Sequence, residues 1–205
     1  MNIVEAFIKY NKQLIILLSG FSGSGKTLLA RNIQRDFKLE FINLNNYYKE
    51  DYNKVVDLGH DIKVIDWDDP DAIDWDKFNE KVNSVKDKGI ICCGFGFPSD
   101  RLKFEANFHI RIDIPKNKLI EMRQKYLDEN QDNKLNEIKD TRTEILILNK
   151  LSYPHHEKIK TNSKYTFKYS LFNEQEFDLD KIPQKTYDDI FNYLINNIEK
   201  NLYKK

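Results

Sequence analysis

Two hydropathy periods alternate along this chain, and their order predicts its layout. Ile3, Val4, Phe7 and Ile8 recur at helical spacing and predict a short amphipathic helix. Residues 13–18 form a continuous apolar run, the pattern of a strand covered on both faces. Leu28, Leu29, Ile33 and Phe37 then fall on one side of a helix over 26–38, followed by a second strand over 39–44. Residues 45–73 show neither period. Rich in Asn, Asp and Tyr, they read as functional loops with a short helical turn.

Asp74 stands at a helix cap, and Trp75, Phe78, Val82 and Val85 supply the apolar face behind it. Gly89 ends that helix and residues 90–93 give a third apolar run. Phe108, Ile110, Ile112 and Ile114 predict a fourth strand, closed by Pro115. Helices follow over 116–130 and 141–151, separated by a polar stretch, ENQDNKLNEIKDT, expected to be exposed. The second leads into a loop containing YPHHEKI. Tyr165, Phe167, Tyr169 and Leu171 alternate as a last strand; Thr186 and Asp189 match a capping box before Ile190, Leu194, Ile198 and Leu202. Strands alternating with helices predict an α/β fold in three layers, a mostly parallel sheet of about five strands covered by helices on both faces. Without an internal repeat, 205 residues are expected to form a single domain over 1–205.

Thirty-three basic and 33 acidic residues cancel, with no long one-signed stretch, so no nucleic-acid or membrane surface is expected. The only cysteines are the adjacent Cys92 and Cys93, which point to opposite faces of a strand and cannot readily bridge. This usage fits a reducing compartment. The amino-terminal segment lacks a secretory pattern, and the apolar run behind it is too short to span a membrane. A cytoplasmic monomer or homodimer is expected.

The chemistry lies in GFSGSGKT, residues 20–27, which fits G-x-x-x-x-G-K-[ST] and sits between a buried strand and a helix. Gly20, Gly23 and Gly25 allow close backbone approach. Successive N–H groups can then face one concavity at the positive helix end. The loop residues Gly20, Ser22, Gly23, Ser24, Gly25, Lys26, Thr27 and Leu28 are expected to hold the phosphates of ATP. Lys26 reaches the β- and γ-phosphates and Thr27 ligates Mg2+. No guanine-reading NKxD follows, since Asn149-Lys150 runs into Leu151 and Ser152.

A second stretch, VIDWDDPDAIDWDKF at 64–78, resembles the uridine kinase and nicotinamide riboside kinase group of P-loop kinases in Trp67, Asp68, Pro70, Asp71, Ala72 and Asp74. The resemblance implies that Asp68 accepts hydrogen bonds from a vicinal diol on the acceptor and that Trp67 lines its pocket. It continues through GFPSDRLKFEANFHIRIDIP, where Arg101 is placed to neutralise developing charge. KLIEMRQKY resembles a lid helix within 123–142 whose Arg123 and Lys125 cover the phosphates, with Arg123 the catalytic residue that neutralises developing charge. YPHHEKIKTNSKYTFKYS resembles the tail, so the similarity spans roughly 14–170.

Two positions depart from the group. An Asp that serves as base after the second strand is replaced by Asn45, and the Glu ending the third strand by Cys93. Asp51 and Asp66 are candidate substitutes for the base. The β-hairpin by which uridine kinases read pyrimidines is absent between the acceptor helix and third strand, where only 77–88 intervene. Tyr47, Tyr48, Trp67 and Phe97 are candidates to stack on a flat base, with at least two of them expected in the core. His155 and His156, being adjacent, are not expected to share a metal and are placed on a surface loop. The expected function is ATP- and Mg2+-dependent phosphorylation of a hydroxyl on a nucleoside-like small molecule, with Asn45 also on the acceptor side. The alternatives are a nucleotide-binding protein with weak or lost transferase activity, and a nucleotide-monophosphate or other small-molecule kinase.

Overall fold

The apolar run near the amino terminus becomes the central strand of a parallel sheet. The structure is a computed structural model described over residues 2–129, 141–160, 165–168 and 184–203; side chains at 122, 123, 126–129, 160 and 165–168 are outside the description. In chain order the elements are α1 (Ile3–Asn11), β1 (Ile15–Gly20), α2 (Lys26–Phe37), β2 (Glu40–Asn43), β3 (Val55–Gly59), β4 (Ile62–Ile65), α3 (Trp75–Val85), β5 (Ile90–Gly94), β6 (Phe108–Asp113), α4 (Lys116–Glu129), α5 (Thr141–Ile147), α6 (Tyr153–Lys160), β7 (Tyr165–Lys168) and α7 (Gln184–Tyr203). A π-helical turn, Leu148–Ser152, joins α5 to α6.

The main sheet has the order β2-β5-β1-β6-β7, with every pairing parallel. Parallel strands buried on both faces need apolar residues at successive positions, and all six residues of β1 are buried. Its side chains divide by parity. Ile16 and Leu18 join Ile33, Phe37, Ile110 and Leu194 on one face; Ile15 and Leu17 join Phe78, Val82 and Cys92 on the other. Helices α1, α2 and α7 contribute to the first layer and α3 to the second. Cys92 and Cys93 belong to opposite cores and are unbridged, as strand geometry requires.

The loop leaving β1 sits at a topological switch point. The chain passes from β1 through β2 to β5 on one side, then returns to β6 on the other. The crevice beyond the carboxyl ends of such strands is where open α/β sheets bind ligands.

Three expectations are corrected. Part of the 45–73 loop is an antiparallel hairpin, β3–β4, turning through Gly59, His60 and Asp61, all at positive φ. Its apolar positions Leu58 and Val64 pack against Ile147 and Leu151, so a distant helix segment makes its core. The YPHHEKI stretch is helix α6 rather than a surface loop. Thr186 lies inside α7, which begins at Gln184, so it is not the cap; the residues preceding Gln184 fall outside the description. Tyr169 and Leu171, expected in the last strand, also fall outside it.

Candidate active site

Glycine geometry shapes the phosphate-type loop. Gly23 and Gly25 have φ of 81° and 72°, the left-handed region that side chains rarely adopt. A Cβ on Gly20 would lie 2.9 Å from Ser24 Oγ and 3.1 Å from the Ile112 carbonyl oxygen, so the loop presses against β6. Gly25 is the N-cap of α2 and offers no side-chain bond, and the first turn carries no acidic residue. The helix therefore presents its first N–H groups and the positive end of its dipole without a built-in counter-charge. Ser24 is fully buried and its hydroxyl lacks a hydrogen-bond partner among the described residues, while Lys26 donates from Nζ to the Phe21 carbonyl at 3.1 Å.

Across the loop stands the end of β5. Cys93 Sγ lies 3.9 Å from Thr27 Oγ1, and burial pushes its thiol above the ordinary range despite the opposing pull of Lys26. The group is a neutral thiol at pH 7. The next residue, Gly94, is packed so closely that a Cβ there would meet Leu44 at 2.6 Å. This contact holds the turn Leu44–Tyr47, with Asn45 exposed on it, against the end of β5.

A carboxylate-rich turn forms the facing side. Asp69 caps the turn Pro70–Ala72 by accepting from the Asp71 N–H at 2.8 Å, and its other oxygen pairs with Lys54. Asp66 is buried and its Oδ2 is 2.8 Å from His155 Nε2. Asp68 is half-buried and accepts from the Ser152 hydroxyl. Trp67 packs edge-on against Tyr48 at 5.3 Å and beside Tyr52 at 5.6 Å, giving a half-buried aromatic wall. Tyr47 and Phe97 instead pack on Phe78 in the core.

The segment 148–160 ties these parts together. Lys150 donates to the Leu58 carbonyl of the hairpin, Ser152 to Asp68, and His155 meets Asp66. His156, one residue on, stacks on Phe21 of the glycine loop with ring centroids 3.8 Å apart. One short stretch thus touches both the loop and the carboxylate turn.

No protein-family model matches the chain. Sequence similarity is found to a nicotinamide riboside kinase of Saccharomyces cerevisiae, 35% identical over 81 residues, covering 39% of this chain and 33% of that protein. A uridine kinase of Borreliella burgdorferi is 40% identical over 74 residues, 35% of this chain and 34% of its own length. The matched segment thus spans about a third of these relatives. A shikimate kinase structure from Bacteroides thetaiotaomicron superposes with a TM-score of 0.58 at 16% identity, over 89% of this chain and 98% of that one. The chain has a P-loop kinase fold. Among the described residues, no helix is long and apolar enough to cross a membrane.

Within that fold, the residues singled out from sequence divide into groups. Gly20 to Thr27 run from the last residue of β1 through one loop into the first turn of α2, with half-buried Leu28 directly behind. Trp67 and Asp68 share the facing turn. Arg101 instead bonds Asp71 at 2.6 Å and lies 3.6 Å from Asp100, an exposed pairing that uses its charge locally. Arg123 lies on α4 with its side chain outside the description, as does most of the expected lid at 123–142. Asp51 is exposed, whereas Asp66 is committed to His155.

Sequence reading missed Lys54 and Ser152, and placed His155 and His156 outside the site. The usable signal was the pair of apolar runs flanking Gly-His-Asp at 59–61, which marks a hairpin. The contacts of α6 with that hairpin and turn carry no signal in the order of residues.

His156 gives a direct test of this packing. Burial, helped by Arg111 and Lys26 and opposed by Asp68, pushes its imidazole down to about 3. Between pH 6.5 and 3 the unfolded chain binds a proton that the folded chain refuses, so stability falls on acidification by about 1.4 kcal/mol per pH unit from this group. His156→Phe keeps the ring stack and removes two buried nitrogens that lack partners among the described residues. Its urea-unfolding free energy is expected to fall by about 2 kcal/mol less than wild type between pH 6.5 and pH 5. Equal losses in both proteins would contradict the assignment.

Proposed function

We propose that the protein transfers the γ-phosphoryl group of ATP to a hydroxyl of a small, diol-bearing, nucleoside-like acceptor. The observation that carries the reading is the convergence of the glycine loop and the Asp68 turn on one short segment, 148–160, through Phe21–His156 and Asp68–Ser152. The curated relatives named as nicotinamide riboside and uridine kinases support it. The loop fits a triphosphate: it offers left-handed glycines, helix N–H groups without a side-chain cap, the buried Ser24 hydroxyl and the Lys26 ammonium. Magnesium would take the Thr27 hydroxyl and phosphate oxygens, and would neutralise charge developing on the transferred group.

On the acceptor side, the Ser152 hydroxyl fixes the Asp68 carboxylate, which can accept from adjacent hydroxyls. Asp66, Asp68, Asp69 and Asp71 make this side acidic, while Lys54 and Arg101 are already paired. That balance favours an uncharged polyol over an already phosphorylated acceptor. Transfer of label from γ-labelled ATP to a panel of nucleosides, nucleotides and vitamin ribosides tests the reading. Label is expected on a riboside, with the 2′-deoxy analogue poorer, and Asp68→Asn is expected to raise the acceptor KM about tenfold. A variant with undiminished preference for the diol would remove Asp68 from the role.

A second reading has its own support. Cys93 places a neutral thiol beside Thr27 where a carboxylate is expected, and Asn45 cannot accept a proton. These features favour a nucleotide-binding protein of weak transferase activity. Tight ATP binding without label transfer to any acceptor would select it.

A further inference from the structure

We propose that Asp66, Asp69 and His155 form a binding site for one zinc-class transition-metal dication, separate from the glycine loop and independent of the kinase reading. Their donor atoms all lie within 4.8 Å of one another. They come from three places: the residue after β4, the cap of the Pro70–Ala72 turn, and α6. Asp66 and Asp69 are 3% and 6% exposed. Two buried carboxylates this close repel each other unless cationic charge lies between them.

The existing compensation is incomplete. His155 Nε2 meets Asp66 Oδ2, and Lys54 pairs with Asp69. Asp66 Oδ1 remains buried with no hydrogen-bond partner among the described residues. A buried carboxylate oxygen left without a donor is costly, and a bound cation is the simplest group to satisfy it. The neighbouring charges do not fill the gap, since Asp68 is anionic and Arg101 is spent on Asp71.

The geometry also suits coordination. Two donors each about 2.0–2.1 Å from one zinc ion sit roughly 3 Å apart. His155 Nε2 and Asp66 Oδ2 stand 2.8 Å apart as a hydrogen-bonded pair, so a metal would replace the proton between them and draw in Oδ1 as the carboxylate turns. One imidazole and two carboxylates suit zinc, with a fourth position for water, better than magnesium or calcium, which prefer more oxygen ligands. Lys54 competes for Asp69, but its side chain is 55% exposed and can withdraw to solvent. A metal here would clamp α6 onto the turn that carries Asp68.

The test uses the untagged full chain, stripped with EDTA and titrated calorimetrically with zinc chloride and, separately, magnesium chloride. One equivalent of zinc is expected, with no comparable magnesium binding. Asp66→Asn and His155→Gln should each weaken zinc binding about tenfold or more, and His60→Gln, on the hairpin turn, should leave it unchanged. Lys54→Met removes a competitor but no ligand, and is expected to tighten binding. Absence of zinc binding to the wild type, or wild-type affinity in Asp66→Asn and His155→Gln, overturns the proposal. Should those two variants fail to fold, Lys54→Met decides: tighter binding supports the site and unchanged affinity overturns it.

Discussion

Lys26→Ala is expected to lower phosphoryl transfer by about 10³-fold while leaving the fold intact. Removing one preorganised donor from a developing negative charge typically costs about 10²–10³ in rate, and a charged donor in a confined loop lies at the upper end. In this structure the ammonium rests on the Phe21 carbonyl, inside the concavity made by Gly23 and Gly25. On nucleotide binding it would exchange that carbonyl for a phosphate oxygen. Alanine leaves the loop backbone and its glycine angles unchanged, so circular dichroism should match wild type. Lys26→Arg should not rescue turnover, because a planar fork does not fit a pocket shaped for a point charge. Labelled-phosphate transfer at saturating ATP measures both variants. An undiminished rate in Lys26→Ala would refute the phosphate-loop assignment.

The second large effect is a gain. Asn45→Asp is expected to raise turnover by about 10²–10⁴-fold if the missing group is the general base. Asn45 is exposed on the turn after β2, with its backbone N–H held by the Asn43 side chain at 3.0 Å. A carboxylate of the same shape can stand there with little change in stability, within about 0.5 kcal/mol for an exposed site. The same restoration at Cys93 is less clean. That residue is fully buried, and a longer acid would crowd Thr27 and desolvate its own charge. Initial rates with a labelled riboside acceptor decide the matter. A flat response in Asn45→Asp, together with tight ATP binding, would favour the nucleotide-binding reading over a weakened kinase.

Much of the fold was legible because the informative signals were local. The apolar run before GFSGSGKT, the helical spacing from Leu29 to Phe37, and the Asp74 cap each express a constraint acting within a few residues. The observed β1, α2 and α3 follow those signals closely, and the Asp74 side chain accepts from the Lys77 N–H at 3.1 Å. The hairpin at 55–65 was less legible. Its strands are short, and only Leu58 and Val64 are buried within it, against side chains some 80–90 positions away. Adjacent histidines were read as a loop because composition gives no sign of burial. His156 is enclosed by Phe21, Phe95 and Arg111, which come from three other segments.

By itself, the sequence determined the strand-loop-helix unit with its three glycines, Lys26 and Thr27, the order of the main-sheet strands and of every helix but α6, and the two positions where an expected acid is missing. Tertiary structure alone decided that Cys93 faces Thr27, that Ser152 orients Asp68, and that Asp66, Asp69 and His155 meet. The first set depends on backbone angles and short-range periodicity, which neighbouring residues dictate. The second depends on which strands become neighbours and how α6 packs across the carboxyl ends of β1 and β5, a choice made by the burial of the whole core.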